Sequence, residues 1–209
     1  VHGIIFDIAL GAGLAAACGM RPFLPLLLAG ALASAGALGV AFAHEGFDFL
    51  QEAWWLLVVV AGLVASYAAQ LLFGAAPVAD RSRGARSAGT LSASALAGIA
   101  YGSGALLFAG TLAAHRDAWW PGIAGGVAAA WLADRVIGPV VCGARARLSD
   151  RAAREAITVY LDAAALAAAA LVCALHPLGY VLVAVLVWFL LRVRARAADK
   201  YAGLRVLRR

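Results

Sequence analysis

The sequence predicts an all-α, polytopic transmembrane bundle of about six spans, with seven as the alternative, built from repeated helical hairpins with a broken first helix. Composition is the first of three observations: 65% of residues are hydrophobic, 13% are charged and the mean hydropathy is +0.90. A soluble domain is nearer half apolar and a quarter charged. The second is a series of long apolar runs at 4–43, 53–79, 88–115, 119–143, 156–175 and 178–195. The third is the collection of Lys and Arg in alternate connections between those runs, the intervening connections holding only Arg116. No polar stretch is long enough to build a separate soluble domain, so residues 1–209 read as one transmembrane domain.

The first run, 4–43, is too long for one straight crossing, since forty residues of α-helix span about 60 Å, so it must kink, re-enter or cross twice. It is interrupted at 19–22, where Gly19-Met20-Arg21-Pro22 places a single guanidinium in front of a proline. Proline suits a first helical turn, so a second helix is expected to restart there. If this run crosses once as a kinked helix there are six spans and both ends lie on one side. If 4–19 is a span of its own there are seven, and Arg21 is an ordinary loop residue.

The remaining runs each match the ~20 residues that a spanning helix needs. The loop at 80–87 carries Arg81, Arg83 and Arg86, and the loop at 144–155 carries Arg145, Arg147, Arg151 and Arg154. A basic tail begins at Arg192, and the segment 196–209 ends in Arg208 and Arg209. The alternate turns at 44–52 and 176–177 have no Lys or Arg. Lys and Arg collect on the cytoplasmic side. The basic segments and the C-terminal tail are therefore expected inside. Trp54, Trp55, Trp119 and Trp120 are expected together at the outer interface, where amphipathic rings sit. The net charge of +6 points to an anionic lipid surface at the tail rather than to nucleic acid. No cleavable signal peptide is expected, because the start lacks a basic segment.

Internal similarity supports a repeat. Glu52-Ala53-Trp54-Trp55 matches Asp117-Ala118-Trp119-Trp120, and 26–33 matches 106–113. In this register Arg21 aligns with Tyr101, in Tyr101-Gly102-Ser103-Gly104, which predicts a second weak point inside a long helix. Residues 1–80 form the first unit, 86–150 the second and 155–195 a diverged third hairpin.

Arg21 is the leading candidate site residue. A guanidinium cannot shed its proton in the bilayer, so a buried one must meet carboxylates, carbonyls or a bound anion. The alternative is an interfacial anchor that snorkels to water. Asp134, beside Arg135, is the expected partner for Arg21, because neighbours in sequence point to different faces of a helix and do not neutralise each other. Asp162 is the other intramembrane carboxylate, with Tyr160 nearby as a donor. With Tyr101, these form the expected substrate-binding set of Arg21, Asp134, Asp162 and Tyr101.

His44, His115 and His176 each end the first helix of a hairpin, and neutral imidazoles suit zinc or copper. His at a helix C-terminus is equally favoured by the dipole. No Cys or carboxylate pattern supports a metal, so neither metal nor cofactor is expected. Cys18, Cys142 and Cys173 read as packing thiols. Gly98 with Gly102, and Gly122 with Gly126, are spaced for close helix contact.

Gly13-Leu14-Ala15-Ala16 followed by Gly19-Met20-Arg21-Pro22-Phe23-Leu24-Pro25-Leu26 resembles a family of small bacterial integral membrane proteins of unknown function, and Ala133-Asp134-Arg135 resembles its acidic–basic motif. The stretch Tyr67-Ala68-Ala69-Gln70 lacks a first copy of that motif. The resemblance implies a bacterial inner-membrane protein and carries no activity with it. The expected function is to move or bind an anionic or lipid-like solute, with Arg21 as charge anchor. The alternative is a non-catalytic accessory subunit of a membrane complex, as a homo-oligomer or with other chains. An enzyme is not expected, since no nucleophile–base set is visible.

Overall fold

The computed structural model describes residues 3–42, 46–73, 88–114 and 118–206. They form α1 (Ile4–Met20), α2 (Phe23–Ser34), a 3-10 turn (Asp48–Gln51), α3 (Ala53–Phe73), α4 (Ala88–Ala113), α5 (Trp120–Ala146), α6 (Arg151–Ala174) and α7 (Leu178–Val206), with no strand among the described residues. The chain is a helical membrane bundle. Ser94–Ala113, Trp120–Ala146, Ala152–Ala174 and Leu178–Ala195 are each long and apolar enough to cross a bilayer. Ile4–Met20, Phe23–Ser34 and Ala53–Ala69 are apolar but shorter, so helices of spanning length number four among the described residues, not six.

The short helix α1 is the axis of the bundle. Leu14, Ala15, Ala16, Ala17 and Cys18 are fully buried, and α4, α5, α6 and α7 all pack on α1. Small residues allow this, because a helix without bulky side chains lets neighbouring backbones approach. A Cβ on Gly19 would collide with the Ala130 carbonyl of α5, and one on Gly179 of α7 with the Ala9 carbonyl of α1.

Why α1 stops where it does follows from the dipeptide Arg21-Pro22. A residue before proline is driven out of the α region by the proline ring. Arg21 is accordingly extended, with φ −150° and ψ 116°. Pro22 then caps α2, with φ −69° and ψ −40°.

The break is a reversal of the chain, not a kink in one crossing. Uninterrupted helix would separate Gly11 from Gly30 by about 28 Å. Instead Gly11 abuts Phe108 and Thr111, while Gly30 abuts the Leu50 backbone, and Leu50 in turn packs beside Gly110. Thus α2 runs back along α1 toward the end where α1 began. Of the alternatives for 4–43, the single kinked helix does not describe this folded-back pair of short helices.

Two ends of the bundle can be told apart. Phe47 packs against Trp119 (6.4 Å between centroids), and Phe49 packs against Trp55 (5.1 Å) and Trp54 (6.4 Å), so both tryptophan pairs share one end. The start of α1 is at the same end, where the Tyr180 hydroxyl donates to the Ile5 carbonyl at 2.6 Å. The α5–α6 connection, with Arg145, Arg147 and Arg154, marks the opposite, basic end.

The weak point that the repeat places in α4 lies inside a long helix that runs unbroken through Gly102-Ser103-Gly104. Glycine does not interrupt a helix when no water competes for its backbone groups. The close-contact glycines divide likewise. Gly122 and Gly126 sit against the α4 backbone at Ala109 and Gly104, whereas Gly98 and Gly102 have nothing near them. Gly98→Ala is therefore expected to be neutral, or to stabilise by up to about 1 kcal/mol through helix propensity. Gly126→Val is expected to destabilise by about 1–3 kcal/mol through overpacking. Thermal unfolding in detergent compares the two.

Burial is uneven along the bundle. The core fills the tryptophan half, but residues 94–99 of α4, 137–147 of α5 and 187–195 of α7 include no buried residue. The pair α1–α2 ends about halfway along its neighbours, so among the described residues no central helix packs the basic half.

Candidate functional site

Arg21 lies at the tip of the folded-back pair, deep in the bundle. Its partner is Asp162 of α6, with Nε 2.5 Å from Oδ1. Asp162 is twelve residues from the α6 end at Ala174, about 18 Å, and eleven from its start at Arg151, about 16 Å. The two side chains keep only 17% and 11% of their surface exposed. Neither a solvated loop nor an interfacial anchor describes this position.

The pair is close but not fully satisfied. Arg21 Nε meets Asp162 off the hydrogen-bond direction, and Arg21 Nη2 is buried with no acceptor among the described residues. The other carboxylate oxygen, Asp162 Oδ2, accepts from the hydroxyl of Tyr67 on α3. The reversal at 21–22, α3 and α6 therefore meet at one carboxylate. A crevice opens beside it, lined by Arg21, Pro22, Phe23, Leu24, Leu63, Ser66, Tyr67, Leu96 and Asp162. Its enclosed part has room for about one water.

The expected pairing of Arg21 with Asp134 is corrected. Asp134 of α5 accepts at Oδ2 from the Tyr101 hydroxyl of α4, at 2.8 Å. The neighbouring Arg135 turns outward, exposed, over the Trp131 ring at 5.3 Å, so adjacent charges do take different faces. Tyr101 and Asp134 thus form a second phenol–carboxylate pair, which joins α4 to α5.

Three residues complete or modify the sequence-derived set. Tyr160, expected as the donor to Asp162, is 76% exposed, and Tyr67 takes that part. Arg145, read only as a topogenic loop residue, lies within α5 and donates from Nη2 to Thr158 Oγ1 of α6 at 2.6 Å. Its Nε is buried and without an acceptor among the described residues. Position was the only sequence signal for Tyr67, as a polar group late in an otherwise apolar run.

Of the three histidines, His44 and His115 lie outside the described residues, as do Asp80, Arg81, Arg83 and Arg86. His176 sits in the turn between α6 and α7. Among the described residues no group of three His, Cys, Asp or Glu side chains is placed to hold a metal ion.

Tyr67→Phe removes a donor from a buried carboxylate and is expected to cost about 0.6–2 kcal/mol. Detergent-induced unfolding, followed by tryptophan fluorescence, measures it.

The fold and the site define a polytopic helical membrane protein with a guanidinium–carboxylate–phenol cluster at a helix reversal. Comparison with protein families, with curated proteins and with solved structures finds no match for this chain.

Proposed function

We propose that this is a bacterial inner-membrane protein that binds, and passes across the membrane, a solute or lipid through its anionic group, with Arg21 as the anchor. The observation that carries the reading is the buried Arg21 Nη2, which faces no acceptor beside an open crevice. A buried donor left unmade costs about 1–3 kcal/mol, which an incoming anion or a water recovers. The first turn of α2 adds to this, since Phe23 and Leu24 line the crevice and a helix N-terminus favours negative charge.

In this reading α4 to α7, and α3 over its full 21 residues, cross the bilayer with the basic end and the C-terminal tail in the cytoplasm, following the distribution of Lys and Arg. The pair α1–α2 dips in from the opposite face and ends near mid-bilayer. The unfilled basic half is then an approach from the cytoplasmic side. Such a helix discontinuity near mid-membrane is where transporters place their sites.

The test is anion binding by the full chain in nanodiscs, compared with Arg21→Gln. Affinity for an anion such as acetate or phosphate is expected to fall at least about tenfold in the variant, the worth of a charge-assisted hydrogen bond. Equal affinities contradict the reading. A second reading, a non-catalytic accessory subunit, is favoured by the small enclosed volume at the crevice. It predicts a co-purifying partner whose capture survives Arg21→Gln.

A further inference from the structure

Two buried guanidinium groups share one face of α6. Thr158 and Asp162 are four residues apart, hence about 6 Å apart on the same side of the helix. Both are buried. Arg145 grips Thr158 and Arg21 grips Asp162, so the two cationic heads lie about one helical turn from each other. Each keeps a buried N–H with no acceptor among the described residues, Nη2 on Arg21 and Nε on Arg145. Asp162 is the carboxylate that pairs with Arg21, and Arg145 meets the neutral hydroxyl of Thr158.

A carboxylate ligand would bring one charge and a single flat pair of oxygens, enough for one guanidinium. A phosphate group brings a charge of about −1.5 to −2 and three acceptor oxygens in a tetrahedral array. That array bridges two guanidiniums about a turn apart, with an oxygen for each unsatisfied N–H. The start of α2 lines the crevice beside Arg21, and a helix N-terminus favours negative charge. Arg145 and Thr158 do not line that crevice, whose enclosed part has room for about one water, so a phosphate held by both guanidiniums would lie at its mouth.

We infer that the anionic group taken by this site is a phosphate, free or as a lipid headgroup, held jointly by Arg21 and Arg145. This rests on the reading of Arg21 as an anion anchor and adds the ligand class and a second binding residue.

The experiment uses the full chain in phosphatidylcholine nanodiscs at constant ionic strength and mildly alkaline pH. Inorganic phosphate and acetate are titrated separately, and the rise in unfolding temperature gives each affinity. Phosphate is expected to bind at least about tenfold more tightly than acetate. Arg145→Gln is expected to lower phosphate affinity at least about tenfold and so to remove that preference. Nanodiscs doped with phosphatidic acid distinguish the sources: loss of the phosphate response there assigns the site to a lipid headgroup, and its persistence assigns it to free phosphate. Equal binding of phosphate and acetate by the unaltered chain, or a preference that survives Arg145→Gln, overturns the phosphate assignment and leaves the Arg21 anchor standing. Absence of binding by either anion in both nanodisc compositions overturns the anchor as well.

Discussion

Replacing Arg21 by methionine is expected to destabilise the protein by about 3 kcal/mol, because it strands Asp162 as an unpaired charge inside the bundle. The pair keeps 17% and 11% exposure, which places the loss at the lower end of the range for buried pairs. Replacing both members, Arg21→Met with Asp162→Leu, is expected to recover most of it, to within about 1 kcal/mol of the starting protein. The contrast separates stability from function, since the double variant keeps its fold and loses its charge anchor. Unfolding midpoints of the two single variants and the double form a complete cycle. Additive losses, with the double variant as damaged as the sum of the singles, would show that the two charges are not coupled.

The largest loss is expected at a residue with no chemistry. Gly179 of α7 and Gly19 of α1 each meet a carbonyl of a neighbouring helix where a side chain would stand. Overpacking usually costs about 1–3 kcal/mol, but a backbone cannot move aside as a side chain can. Gly179→Leu is therefore expected to exceed about 3 kcal/mol and to prevent α7 from docking on α1. Tyr180 follows directly and bonds the Ile5 carbonyl, so this contact is lost with it. Recovery of folded protein after detergent extraction, read by size-exclusion profile, measures the effect. A monodisperse Gly179→Leu protein would contradict the close approach.

Much of the site was legible because charge is scarce in this chain. Arg21 stands alone between Asp7 and Glu45, and the proline after it dictates where a helix must end. The exact partner was not legible. Asp134 and Asp162 are equivalent in sequence terms, and only the order in which α5 and α6 pass the tip of α1 selects between them. Tyr67 was hidden because an aromatic residue in an apolar run reads as lipid-facing packing. Arg145 was hidden because a basic residue near a helix end reads as a topogenic charge.

The direction of α2 was equally invisible, since twelve apolar residues look alike forwards and backwards. A clue lay in Gly36 and Gly39, both with positive φ, which with Leu38 turn the chain soon after α2. The matching tryptophan pairs record a shared interface: α3 and α5 both begin at the same end and need the same amphipathic rings there. In the alignment of the two segments, the weak point opposite Arg21 falls inside α4, which is unbroken there.

The central position of α1 also has a consequence for biogenesis. Its neighbours α4, α5, α6 and α7 are all translated after it. Until those four helices follow, the faces of α1 that they cover lack these neighbours, and α1 and α2 are each shorter than a spanning helix. The packing around α1 is thus completed only once α7, the last of the four, has been made.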